Sequence, residues 1–85
     1  MPTISMFYGI VIQMFFDDHN PPHFHAYYQD YEASFTLDGE VLKGSLPPRQ
    51  KKLVVAWAEI HQEELLANWN LAKSNMELYR IDPLK

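Results

Sequence analysis

The chain has 85 residues, 47% of them apolar, and a formal net charge of −4; that is enough for one globular domain, too short for two independent cores and too apolar for a disordered tail. With no cysteine, disulfide frameworks, thiolate metal sites and thiol nucleophiles are excluded, and the cytoplasm is the expected compartment. The acidic balance argues against broad, sequence-independent nucleic-acid binding, and neither a secretory signal nor a run of ~20 apolar residues suited to a membrane is visible.

Along the chain, Ile4, Met6, Tyr8, Ile10, Ile12, Met14 and Phe16 share one parity, with Ser5, Gly9 and Gln13 on the other. Period-two spacing of this length predicts one long strand, kinked at Gly9. Residues 17–22 (Asp17-Asp18-His19-Asn20-Pro21-Pro22) are expected to form a loop, because proline cannot donate to a ladder. Beyond it, a two-residue turn at Gln29-Asp30 pairs Tyr28 with Tyr31, Ala26 with Ala33 and Phe24 with Phe35, all on one face. A second two-residue turn at Asp38-Gly39 places Leu42 across from Phe35. In this register His23, His25 and Tyr27 lie on the face away from the core, and His25, Ser34 and Lys43 form one polar row across three strands.

From Ser45 the pattern is helical, with Pro47 or Pro48 in the first turn and Ser45 or Leu46 near the cap. Leu53, Val54, Trp57, Ile60, Leu65, Leu71 and Ala72 fall within one apolar arc. A helix from about Pro48 to about Lys73 would run roughly 39 Å at about 1.5 Å per residue, long for such short strands, so a break or a protruding end is expected. Met76–Leu84 contains a short alternating piece read as an edge strand stopped by Pro83. The predicted fold is therefore α+β: an antiparallel meander of about four to five strands packed against one long C-terminal helix.

Chemistry concentrates in His19, His23 and His25, with Asp17 and Asp18 immediately before them. Imidazoles beside a carboxylate suit acid–base work on a phosphoryl or acyl group, with His19, His23, His25 and Asp18 as the catalytic candidates. The same three histidines with a carboxylate are an alternative divalent-metal set, although their spacing matches no standard zinc signature. The bland alternative is a stiff loop carrying surface histidines. Ser34, Lys43 and Arg49 are candidates for holding a substrate phosphate. Arg49, Lys51 and Lys52 stand at a helix start, where the dipole disfavours cations, and a solvated helix end is the commoner explanation. A second polar cluster, His61, Glu64 and Asn68, lies within the apolar arc, where unpaired burial would cost ~1–3 kcal/mol per group; a functional trio facing the histidine loop is one explanation, and hydrogen bonding of Asn68 or His61 to exposed sheet backbone is the preferred one. Trp69, Tyr27 and Tyr31 are candidates for contact with a partner.

The opening Pro2-Thr3-Ile4, Gly9-Ile10, the stretch Asp18-His19-x-Pro21-Pro22-His23-Phe24-His25, Gly44-x-Leu46-Pro47, and the elements Trp57, His61, Glu64-Leu65 and Asn68-Trp69 together resemble the small bacterial domain-of-unknown-function family 4160. The likeness spans essentially the whole chain and rests most on the DHxPPHFH motif. It implies a gene pair of toxin–antitoxin type, with a small cognate partner that carries a DNA-binding-type domain. It implies no catalytic residues. The leading expectation is thus a toxin–antitoxin-like component whose histidine site acts on RNA or another phosphate-bearing substrate. The alternatives are a non-enzymatic module that binds its small partner, and a small metal-binding protein. A homo-oligomer is compatible with so small a core.

Overall fold

A computed structural model describes residues 2–16 and 19–85. Five strands, β1 (Thr3–Phe7), β2 (Ile10–Gln13), β3 (His23–Tyr28), β4 (Tyr31–Thr36) and β5 (Val41–Ser45), form an antiparallel sheet in chain order, followed by α1 (Pro48–Ile60) and α2 (Gln62–Lys73). The meander is as expected, but its first strand is two. Tyr8 and Gly9 both have positive φ, 48° and 78°, and close a two-residue turn in which Phe7 faces Ile10. Such primed turns match the twist of the strands they join. The hairpin inverts the parity on its first arm: Ser5 and Phe7 are buried with Ile10 and Ile12, whereas Met6 and Tyr8 are exposed. Ile4 is buried as well because the register shifts between Thr3 and Ser5.

Pairing of β3 with β4 follows the predicted register from His23–Thr36 to Tyr28–Tyr31. The next connection departs from it. Gly39 N–H donates to Thr36 O over 2.9 Å, and Thr36 N–H donates to Glu40 O over 2.8 Å, so the loop has three residues and Gly39 takes the positive-φ position at 94°. This is a turn followed by a one-residue bulge. Phe35 therefore faces Val41, not Leu42, and a further irregularity at Leu42 restores the pair Ser34–Lys43. Two one-residue departures cancel.

The helices pack on one face of the sheet. Trp57 stands edge-on to Phe24 with centroids 5.7 Å apart and meets Phe7 at 5.4 Å, inside a core that includes Ile12, Ala26, Ala33, Phe35, Val54, Leu65 and Trp69. The single long helix of the prediction is two pieces whose outer ends fall where expected, divided at His61, with φ −112° and ψ 27°. The cap of α1 is Pro47, without a side-chain bond, and not Ser45 or Leu46. Ile60, assigned to the buried arc, is 66% exposed. The true stripe is Val54, Trp57, Ala58, then Leu65, Asn68, Trp69 and Ala72. Flanking Leu53, Ile60 and Leu71 pulled the apolar direction away from it.

After α2 the chain crosses the core as an extended strap instead of an edge strand. Ile81 N–H donates to Ile4 O over 2.7 Å, Trp57 Nε1–H donates to Asp82 O over 2.8 Å, and Ile81 is buried. Among the described residues no helix is long and apolar enough to cross a membrane.

Candidate functional site on the open face of the sheet

The face of the sheet away from the helices carries the polar row that the sequence predicts, and extends it. His25 pairs with Ser34, and Ser34 with Lys43. On the other side His25 pairs with Gln13, which pairs with Thr3. The row thus spans all five strands, and Gln13 Nε2–H donates to Thr3 Oγ1 over 3.3 Å. Thr3 and Gln13 escaped the sequence reading because a single long strand cannot bring them opposite each other. Beside this row runs a second, Met6, Val11, Tyr27 and Glu32, in which burial and the neighbouring Glu32 carboxylate raise the Tyr27 hydroxyl above its ordinary pKa of 10.0.

His25, Glu32, Ser34, Lys43 and Gly44 line an open hollow of about 380 Å³ on this face. One imidazole, one hydroxyl and one ammonium converge there, opposed by one carboxylate. Gly44 is required by backbone approach: it has φ 77°, and a Cβ at this position would collide with Glu32 O and lie 3.0 Å from Ala33 Cα.

At the hollow's margin the imidazoles form a ladder. The His25 ring meets Phe15 edge-on at 4.5 Å and His23 at 5.1 Å, and His23 lies 6.3 Å from His19. His23 shares the parity of His25 yet is only 8% exposed. The reason is Trp69, which reaches from α2 to within 5.4 Å of the His23 ring. Trp69 is itself 3% exposed, so it serves the interior and is not the partner-facing residue expected of it; Tyr31 is exposed and Tyr27 half-buried. The His23 Nδ1 lies 2.7 Å from Pro21 O. A carbonyl only accepts, so Nδ1 carries the proton, and in the neutral ring the lone pair falls on Nε2. Asp17 and Asp18 lie outside the described residues, and the expectation for Asp18 with them. Among the described residues no three His, Asp or Glu side chains are grouped so as to hold a metal ion.

The second polar cluster divides into two structural devices. His61 Nδ1 pairs with Glu64 Oε1 at 2.5 Å across the break between the helices, and the His61 ring sits 5.6 Å from Trp57. Asn68 is buried and clamps the strap: its Nδ2–H donates to Tyr79 O over 2.8 Å, and Tyr79 N–H donates to its Oδ1 over 3.0 Å. Backbone satisfaction, the preferred reading of this cluster, is what Asn68 does, although its partner is the C-terminal strap and not the sheet. Arg49 stands in the first turn of α1 and does not line the hollow with Ser34 and Lys43.

The fold and site define the class: a small α+β domain whose five-stranded sheet buries one face under two helices and leaves a histidine-, serine- and lysine-bearing face open. The chain belongs to the family described as Domain of unknown function (DUF4160), which it matches over residues 9–70. That span runs from the first turn through β2 to β5, and takes in the histidine ladder, the hollow and both helices up to Asn70. No curated protein and no solved structure matches the chain.

Proposed function

We propose that this protein is the effector half of a toxin–antitoxin-like pair and cleaves RNA by transesterification at the open-face hollow. The observation that supports this most is the in-register row His25–Ser34–Lys43 lining one hollow, with a second imidazole 5.1 Å away from His25. Phosphodiester transfer needs these groups: a base, an acid and a fixed cation beside the phosphorus. His25 takes the proton of the ribose 2′-hydroxyl, and O2′ attacks phosphorus. The P–O5′ bond breaks as the P–O2′ bond forms, and His19, exposed beside His23 and in its protonated form, supplies the proton to the departing O5′. The products are a 2′,3′-cyclic phosphate and a 5′-hydroxyl. Lys43 and the Ser34 hydroxyl steady the non-bridging oxygens, and Phe15, edge-on to His25, offers a face for an unstacked base.

An acidic chain sets a limit on how this substrate is held. With a net charge of −4 only one or two phosphates are engaged, so affinity should fall shallowly with salt, at a log–log slope near −0.7 per phosphate on a single strand. The test is incubation of the purified protein with a short single-stranded RNA and its 2′-deoxy counterpart. The RNA should yield cyclic-phosphate ends and the deoxy strand none. His25→Ala should slow the reaction by about 100-fold or more, in the range typical of a lost acid–base group. An RNA left intact, or cut equally by His25→Ala, refutes the proposal.

A further inference from the structure

Another hollow among the described residues shares no lining residue with the His25–Ser34–Lys43 hollow. It has about 480 Å³ and is bounded by Pro21 and Pro22 of the loop before β3, by Thr36, Leu37 and Asp38 at the β4–β5 turn, and by Gln62, Glu63 and Leu66 on the first turns of α2. Its walls are apolar: two proline rings, Leu37, and Leu66, a leucine left 49% exposed. Its charged groups are the carboxylates of Asp38 and Glu63, both exposed, and no Lys, Arg or His contributes to the lining. Leu66 stands on the opposite flank of the helical stripe from Ile60 and Leu71, so it lies outside the buried core and faces the hollow. An apolar cleft of this size with a rim of one sign selects both for an inserted side chain and for the charge that flanks it.

We infer that this groove docks a short segment of a partner protein in which leucine-like anchors are flanked by lysine or arginine. The anchor fills the space between Pro22, Leu37 and Leu66, and the flanking cations reach Asp38 and Glu63. A peptide with acidic flanks is repelled by the same rim, and the chain's overall charge of −4 adds to that preference at long range. The docked segment would lie next to the histidine ladder, because the carbonyl of Pro21 accepts from His23. This inference goes beyond the proposed cleavage activity and does not depend on it.

The experiment is an NMR titration of ¹⁵N-labelled protein with the peptide acetyl-Lys-Arg-Leu-Leu-Arg-Lys-amide and with a counterpart carrying glutamate at the four basic positions. The basic peptide should shift the amides of Leu37, Asp38, Gln62, Glu63 and Leu66, and the acidic one should bind at least tenfold more weakly. The double variant Asp38→Asn/Glu63→Gln alters only exposed side chains, so its spectrum should keep the native dispersion while affinity for the basic peptide drops at least fivefold. Shifts centred on His25 and Lys43, equal binding of both peptides, or no shift at millimolar peptide would overturn the inference. So would concentration-dependent dimerisation in sedimentation equilibrium that Leu66→Asp abolishes, because the groove would then be an interface between two copies of this chain.

Discussion

Ser5 is 1% exposed, and its Oγ has no hydrogen-bond partner among the described residues. A buried hydroxyl that finds no partner costs about 1–3 kcal/mol. Ser5→Ala should therefore stabilise the fold by about 1 kcal/mol, read as a rise in denaturation midpoint at unchanged slope; a loss of stability would mean that the hydroxyl is satisfied. Tyr27 shows the opposite economy on the open face. Burial first, and Glu32 second, raise its pKa above 10.0. A raised folded-state value means that the native state holds the proton more tightly than the unfolded chain does. The resulting stabilisation is present in full below pH 10 and is lost as pH climbs through the folded value. Absorbance at 295 nm should show Tyr27 ionising above 10.0, and Glu32→Gln should move that titration down. A Tyr27→Phe protein should lose less stability than wild type between neutral and strongly alkaline pH.

At the scale of elements, the most exacting position is Gly44 in β5. Its φ of 77° and the close approach of Glu32 O leave no room for a side chain. Gly44→Ala should cost more than about 2 kcal/mol, combining left-handed strain with overpacking, and lower Tm by roughly 10 °C in a domain of this size. A Tm within 2 °C of wild type would show that β5 moves aside freely. The same strand shows what a sequence can carry. The β3–β4 register was readable because alternation on both sides of Gln29-Asp30 pointed to one buried face, and His25–Ser34–Lys43 followed from it. The first hairpin was hidden, because Tyr8 is a poor residue for a positive φ and only Gly9 marked the turn. Asp38-Gly39 was recognised as a turn, but composition does not reveal whether Gly39 takes a central or a bulge position. The polar row survived because the bulge at Leu42 compensates. The burial of His23 was illegible for a different reason. Strand parity governs which face a side chain leaves from, but not whether a tryptophan from a distant helix covers the end of that face.

The molecule as a whole is closed by its last ten residues. Met76–Lys85 contain no helix or strand, and the short alternation read there finds no strand to pair with; tertiary bonds fix their path. Asn68 binds both the N–H and the C=O of Tyr79, Trp57 Nε1–H holds Asp82 O, Ile81 N–H adds to Ile4, and the Ile81 side chain enters the core. Asn68 thus replaces a strand: one side-chain amide satisfies both backbone groups of Tyr79, which would otherwise be left unpaired. It lies in the middle of the α2 stripe, where a leucine would pack well, which is why the sequence offers it as a site residue. Two perturbations separate the roles. Asn68→Ala in the full chain strands both Tyr79 groups and the rim of the stripe, and should cost about 2–4 kcal/mol. Ending the chain at Met76 removes the strap, leaves Trp57 Nε1 and Asn68 without these partners, and should cost at least as much. If the strap is what Asn68 serves, the two losses are not additive: in the shortened chain Asn68→Ala should cost less than half of what it costs in the full one, and Asn68→Leu should be neutral or stabilising. Urea denaturation of the four proteins measures the cycle. Additive losses would place the work of Asn68 inside the helix pair, and the strap would then be a covering held by Ile81 and Trp57 alone.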